Sequence, residues 1–333
     1  MDPEQIRSRK QEIIARWGPW TAHSFRLADG VDTFDQPYWD TRLRRFVQIA
    51  SDLSRKSIQD LRVLDLACLE GHYGIEFALQ GARVVATEGR PANLEKARFA
   101  KEALGLNKLE LVLDDVRNLS VDRYGTFDVV LCLGILYHLD APDVMDFVRR
   151  IASVCEGLVI IDTHIALGDD LAIRWEGNTY WGTYAHEHNV NAPAEDKEAA
   201  KWSSLENPRS FCLTKASLSN LLRHTSFTSV YECFNPFEFH SADWPRNPEG
   251  REYRVWENRT TLVAVKGKRC TLISSPSTNR LPEIDRPEHP NFLTDGHLPG
   301  KTGLPGKTGL RSRLAGLLPR PLRRLVRTVL RRG

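Results

Sequence analysis

Three acidic residues stand at or beside the ends of apolar runs in the first half of the chain. Asp65 lies in VLDLACLEG, Glu88 in VVATEGR and Asp115 in LVLDDVRNL. Asp65 is followed by a short turn, Ala67-Cys68-Leu69-Glu70-Gly71, and Gly71 opens a helical stretch; Glu88 comes twenty-three residues after Asp65. A strand, a tight turn, a helix and an acid about twenty residues on is the geometry that grips a nucleoside. The second acid accepts hydrogen bonds from ribose hydroxyls, and the turn must be small so that the ligand reaches the backbone. A second group, Tyr137, His138, Asp162 and His164, leaves the next two apolar runs. In a doubly wound sheet that edge binds ligands, so His138, Asp162 and His164 are the candidate acid–base residues. His186-Glu187-His188 could suggest a metal ligand pair, but an aromatic lid with polar edges is the better reading, and no metal site is expected.

The elements that must hold these residues follow from periodicity. RVLDLA (62–67), RVVATE (83–88), LELVLD (109–114), FDVVLCL (127–133) and GLVIID (157–162) are almost uniformly apolar runs of strand length. They alternate with helical stretches at 72–80, 91–105 and 142–154, which predicts a parallel sheet covered on both faces. SVYECF (229–234) and RTTLVAVKG (259–267) have no helix between them and read as an antiparallel pair closing the sheet. The expected fold is therefore α/β: doubly wound, seven-stranded, mostly parallel, with the last strand antiparallel. Two helices, 4–17 and 37–54, the second opening at Pro37, form an N-terminal helical extension over 1–60. Residues 61–268 form the main domain, interrupted by a lid insertion at 163–213 that carries Trp175, Tyr180, Trp181 and Tyr184. These rings suit stacking on a sugar or aromatic ring, or they form a small core of their own.

Composition sets the limits. The 333 residues include eight Trp, 41% hydrophobic and 27% charged residues, so the chain is not a disordered one. No apolar run reaches the length of a membrane span, and the N-terminus MDPEQIRSRKQEII has no signal core, so a cytoplasmic protein is expected. The six cysteines are irregularly spaced and read as reduced thiols. The net charge of +3 is unevenly distributed: residues 280–333 hold twelve Lys/Arg against four Asp/Glu, a balance of +8, and residues 1–279 hold 34 against 39, a balance of −5. After a Pro/Gly-rich linker (269–310) with a tandem PGKTGL repeat, residues 311–333 carry eight Arg. Leu322, Leu325, Val326, Val329 and Leu330 keep helical spacing there, which describes a basic amphipathic helix suited to an anionic surface at the inner face of the membrane. The repeat is no phosphate-binding loop, because five residues separate Gly300 from Gly306 where four are required.

On spacing alone a dinucleotide and S-adenosyl-L-methionine are hard to separate. The turn lacks the close glycines a pyrophosphate needs, which favours the second. From Arg62 to Asp162 the chain resembles class I S-adenosylmethionine-dependent methyltransferases, motif by motif: VLDLACLEG, VVATEGR, LVLDDVRNL, FDVVLCLGILYHL and EGLVIID. It looks most like the tRNA wobble-uridine carboxymethyltransferase branch, through Gly18-Pro19-Trp20 and Gly134-Ile135-Leu136-Tyr137-His138. The resemblance implies a Rossmann-like fold and S-adenosyl-L-methionine as cofactor. It implies that Asp65, Ala67 and Gly71 shape the methionine and ribose end, and that Glu88 binds the ribose diol. Asp115 and Val116 would face the adenine, and Leu133 and Tyr137 would line the sulfonium end.

Two departures bear on function. The family has glycine where Ala67 and Leu69 stand, and Leu69 does not easily adopt φ > 0. The carboxymethyltransferase branch holds its extra carboxylate with a Lys beside the upstream Gly-Pro; Trp17 stands there instead, so ordinary S-adenosyl-L-methionine is expected. The acceptor read as first choice is the oxygen of a small molecule or glycan. The alternatives are a tRNA-modifying enzyme, disfavoured by the acidic body because nucleic-acid binding needs phosphate neutralisation, and a non-catalytic cofactor-binding protein. For the basic tail two readings stand side by side, a peripheral membrane contact and a solvated segment that packs on nothing.

Overall fold

The uniformly apolar strands are buried on both sides because each face of the sheet has its own core. In strand β6 (Phe127–Leu133) Val130 and Cys132 face one core, and Val129 and Leu131 the other. In β3 (Arg62–Leu66) Leu64 and Leu66 point to the first and Val63 to the second. This is the pattern of a sheet with helices on both faces. The structure is a computed structural model; it describes residues 1–37, 40–233 and 258–275. The expected linker beyond 275 and the basic tail at 311–333 lie outside the described residues, as does most of the 235–258 connection.

The N-terminal part contributes α1 (Pro3–Trp17), a short hairpin of β1 (Arg26–Ala28) and β2 (Val31–Asp32), and α2 (Thr41–Leu53). After β3 come α3 (His72–Leu79), β4 (Arg83–Glu88), α4 (Pro91–Ala103), β5 (Leu109–Leu113), α5 (Val121–Tyr124), β6, α6 (Asp143–Val154) and β7 (Cys155–His164). The lid holds β8 (Leu171–Trp175), β9 (Asn178–His186), α7 (Ala194–Ala199) and β10 (Arg209–Leu213). The chain returns to the main sheet through α8 (Lys215–His224), β11 (Ser229–Cys233) and β12 (Arg259–Val265).

The seven strands are ordered β11-β12-β7-β6-β3-β4-β5. Strand β12 is antiparallel to both neighbours, and the other described pairings are parallel. The order reverses between β3 and β6, so the crevice at the carboxyl ends of these two strands is where a ligand belongs. Because β12 runs the other way, its first residue, Arg259, pairs with His164 and reaches that same edge.

One expectation needs correction. The second helix does not open at Pro37 but at Thr41, because the Asp40 side chain accepts from Arg42 N at 2.9 Å and caps it there. Of the two forms open to the rings of the insertion at 163–213, stacking or packing, the structure shows packing. The insertion folds as a three-stranded antiparallel sheet, β10-β9-β8. Tyr180 is fully buried against the main core, with Trp175 at 6.2 Å, and Tyr184 packs on Phe211 at 5.3 Å. Among the described residues no helix is long and apolar enough to cross a membrane.

Candidate active site

The turn after β3 runs through three left-handed residues within five positions. Ala67, Leu69 and Gly71 all take left-handed φ, at 52°, 51° and 86°. Leu69 therefore does adopt the conformation that the sequence argued against. A left-handed non-glycine residue costs about 1–2 kcal/mol. Glu88 answers that cost: its Oε2 accepts from Leu69 N at 2.9 Å, and a hydrogen bond to a charged group contributes about 1.5–3 kcal/mol. Cys68 N donates to Thr87 O at 2.9 Å and Gly71 N to Cys68 O at 2.8 Å, closing the curl. The alternating path at 67, 69 and 71 is the one glycines would give, reached here with one glycine.

The two buried acids have different partners. Asp65 is 1% exposed, and its Oδ2 accepts from Gly74 N at 2.8 Å, fixing the first turn of α3. Gly74 lets that oxygen approach closely, since a Cβ would stand 3.0 Å from it. Burial pushes the Asp65 carboxyl up to about 7, opposed by the Gly74 bond and reinforced by Glu88. Glu88 is also buried, which raises it; Oε1 accepts from Arg90 N at 2.9 Å and from Asn93 Nδ2 at 3.3 Å. A carboxylate offers about four acceptor positions, so three protein bonds leave capacity for a ligand hydroxyl.

Asp115 caps a short 3-10 turn that starts at Val116 and accepts from Arg117 N at 2.8 Å. Burial opposes its charge, but the Arg117 guanidinium outweighs this and holds the carboxyl below its usual range. Val116 is buried, and Leu133 ends β6 opposite Asp162 of β7. The upstream Gly18-Pro19-Trp20 segment is docked beside the turn by an enclosed ion pair. Lys96 Nζ donates to Pro19 O at 2.6 Å and lies 3.3 Å from Glu70 Oε1; Glu70 accepts from the backbone N–H of Thr21, Ala22 and His23.

The acid–base candidates separate into two groups. Asp162, 1% exposed, is bound to Arg259 Nε at 2.8 Å and to Thr261 Oγ1 at 2.7 Å. His164 stands against Arg259, with Nε2 3.3 Å from Nη1, and burial together with that cation lowers its pKa. The Tyr137 ring meets the His164 ring edge-on at 4.7 Å, and burial raises its phenol. His138 is elsewhere engaged: Nδ1 lies 2.9 Å from Glu187 Oε1 of the lid. His186 is exposed and His188 Nε2 contacts Ser204 O at 2.8 Å, so the His-Glu-His run does not converge; no cluster able to hold a metal is found among the described residues.

Sequence reasoning missed Arg259 and Arg90, and it placed Glu187 between two lid histidines without its partner His138. Arg259 was legible as the charged residue opening an otherwise apolar strand. Arg90 is 4% exposed and donates to the carbonyls of Lys197, Ala200, Ser203 and Ser204, at 2.8–3.1 Å. The lid is thus seated on the end of β4, where a Cβ at Gly89 would stand 2.5 Å from Leu205 Cδ1.

Comparison with known proteins fits this geometry. Residues 63–157 match a family described as a methyltransferase domain. The chain is 27% identical over 165 residues to the O-antigen chain terminator bifunctional methyltransferase/kinase of Escherichia coli, covering 45% of this chain and 22% of that protein. It is 27% identical over 191 residues to the tRNA U34 carboxymethyltransferase of Desulfotalea psychrophila, covering 54% and 57%. The chain thus spans less than two thirds of either relative. Among solved structures, the N-terminal domain of EvdMO1 with SAH bound superposes with a TM-score of 0.57 at 24% identity, over 80% of this chain and 97% of that one, a likeness of fold. The part of the chain that matches a methyltransferase domain, residues 63–157, thus lies on its Rossmann-like sheet.

Proposed function

We propose that the chain transfers a methyl group from S-adenosyl-L-methionine to an oxygen of a small molecule or glycan. The observation that carries this is the turn at 67–71, curled through three left-handed residues and tied to the buried Glu88. It offers a ligand close backbone approach beside an acceptor for ribose hydroxyls, without the glycines a pyrophosphate needs. Asp65, Ala67 and Gly71 shape the methionine and ribose end, Glu88 takes the ribose diol, Asp115 and Val116 take the adenine, and Leu133 and Tyr137 line the sulfonium end. The bound cofactor would supply a methyl carbon already activated by a cationic sulfur. The protein's tasks are then alignment, water exclusion and, for a weakly acidic hydroxyl, a base. His138 fits the base. The Tyr137 ring, 4.3 Å from that of His138 and 4.7 Å from that of His164, stands between it and the pair in which Asp162 holds Arg259 at the acceptor edge. The relative named for O-antigen termination supports a glycan acceptor.

A second reading is carboxymethyl transfer to tRNA. The D. psychrophila relative supports it, and so does Lys201: its Nζ would lie 3.6 Å from a Cβ at Gly18. A lid ammonium therefore stands beside the Gly-Pro where Trp17 supplies none. Calorimetry on the full chain with S-adenosyl-L-methionine and with its carboxylated analogue separates the readings. Tighter binding of the unmodified cofactor is expected. Preference for the analogue selects carboxymethyl transfer, and binding of neither removes the enzyme reading. A cytoplasmic protein whose basic tail contacts the inner face of the membrane is the location that fits a lipid-linked or surface glycan.

A further inference from the structure

The lid brings a carboxylate to His138 from forty-nine residues away. The Glu187 side chain is 6% exposed and that of His138 14%. The second oxygen of Glu187 accepts from Ser204 N at 2.8 Å. The carbonyl of the same Ser204 accepts from Arg90 Nη2 at 2.9 Å and lies 2.8 Å from His188 Nε2. Asn207 Nδ2 donates to the His138 carbonyl at 2.9 Å, and Ser204 Oγ donates to Asn207 O at 2.7 Å. One run of hydrogen bonds, Arg90–Ser204–Glu187–His138, therefore joins the end of β4 to the turn leaving β6.

The chemistry of that run is directional. An ionised carboxylate only accepts. Burial works against the charge on Glu187, but the bonds from His138 and Ser204 N outweigh it and hold the carboxyl below its usual range. An imidazole facing it presents N–H at Nδ1, which leaves Nε2 bare in the neutral ring. The arrangement repeats the logic of a carboxylate that fixes the tautomer of a catalytic histidine. Because Glu187 belongs to the lid, and Ser204 ties it to Arg90, the tautomer depends on the lid being seated on β4.

We propose that Glu187 is the positioning residue of His138, and that seating the lid over the cofactor edge and preparing Nε2 as the base are one event. What Nε2 then does rests on the methyl-transfer reading. The acceptor oxygen bonds the methyl carbon, the carbon–sulfur pair leaves with sulfur, and the hydroxyl proton passes to Nε2.

The test reads the tautomer directly, without cofactor or acceptor, and so stands apart from the calorimetry above. Full-length protein is labelled with ¹⁵N-histidine, and imidazole nitrogen shifts are recorded where the ring is neutral. His138→Gln identifies the His138 signals among the ten histidines. The wild type is expected to show Nδ1–H with Nε2 bare. Glu187→Ala should move the tautomer ratio toward Nε2–H by about tenfold or more, the effect of losing one charge-assisted hydrogen bond. Glu187→Gln, which keeps an acceptor, should restore most of it. Arg90→Ala, with Glu187 intact, should move the ratio in the same direction. An Nε2–H ring in the wild type overturns the assignment, even if no variant folds. So does an unchanged ratio in folded Glu187→Ala. An unchanged ratio in folded Arg90→Ala overturns the coupling to the lid. Cofactor binding measured separately shows whether the methyl-transfer reading stands when this one fails.

Discussion

Asp65 and Glu88 were found by spacing, and Leu69 shows what spacing leaves out. The positions of two acids after two apolar strands are sequence-local, so the periodicity that predicts the strands also places the acids. Whether a leucine accepts a left-handed φ depends on what pulls on its N–H, and that partner, Glu88, is on another strand. Asp65 has a consequence that titration can read. Its carboxyl has a reference pKa of 3.8 and is pushed to about 7 in the fold by burial. Between those values the folded chain holds a proton that the unfolded chain has released. Stability therefore falls as pH rises through this window and levels off above it. Asp65→Asn keeps an acceptor for Gly74 N and removes the titration. Urea unfolding midpoints measured from pH 4 to 7.5 should decline in the wild type relative to the variant, with the gap constant above about pH 7. A wild-type curve parallel to that of Asp65→Asn throughout would show that Asp65 is ionised in the fold at all these values.

At the scale of elements, the main sheet was legible and the lid was not. Strands β3, β4, β6 and β7 are buried on both faces and read as continuous apolar runs, so their type and order follow from pattern alone. The lid strands each have one face on the core and one toward polar surroundings, and their pairing is non-local: Phe211 of β10 sits opposite Tyr184 of β9. Trp175, Tyr180 and Tyr184 read as a stacking platform or a core with equal ease, and the full burial of Tyr180, with the other two packed half-buried against the core, decides for the core. What seats this element is Arg90, whose guanidinium is shared among four carbonyls of the 197–204 segment. Ala200 O keeps Ser203 N and Ser204 O keeps the His188 contact when the guanidinium is removed, so the cost of about 1–3 kcal/mol for each group left unpaired falls on the carbonyls of Lys197 and Ser203. Arg90→Ala is therefore expected to loosen 189–206 without unfolding the sheet. Limited proteolysis should cut this segment about tenfold or more faster in the variant, with near-unchanged far-ultraviolet dichroism. Equal cleavage rates would assign the seating of the lid to its other contacts, Leu205 beside Gly89 and Glu187 on His138.

The whole chain adds the charge division to the site. A body of −5 repels a polyanion, whereas a segment of +8 attracts one. If the acceptor were tRNA, phosphate neutralisation would have to come from residues near the site, because a substrate must be held where the chemistry happens. A membrane contact would have no such constraint, because an anchored arm need not lie at the site where the chemistry happens. Each basic side chain at an anionic bilayer contributes about 1 kcal/mol and is screened by salt. An apolar stripe at Leu322, Leu325, Val326, Val329 and Leu330, as their spacing predicts, would contribute a term that salt does not remove. The full chain is therefore expected to sediment with vesicles containing phosphatidylglycerol, weakly with neutral ones, and only in part at 0.5 M salt. Deleting 311–333 should abolish vesicle binding and leave S-adenosyl-L-methionine binding unchanged. Loss of tRNA binding on the same deletion, with vesicle binding retained, would reassign the arm to RNA. Retention of both would show that the charge division does not choose the partner, and the choice would return to the residues around Arg259 and His138.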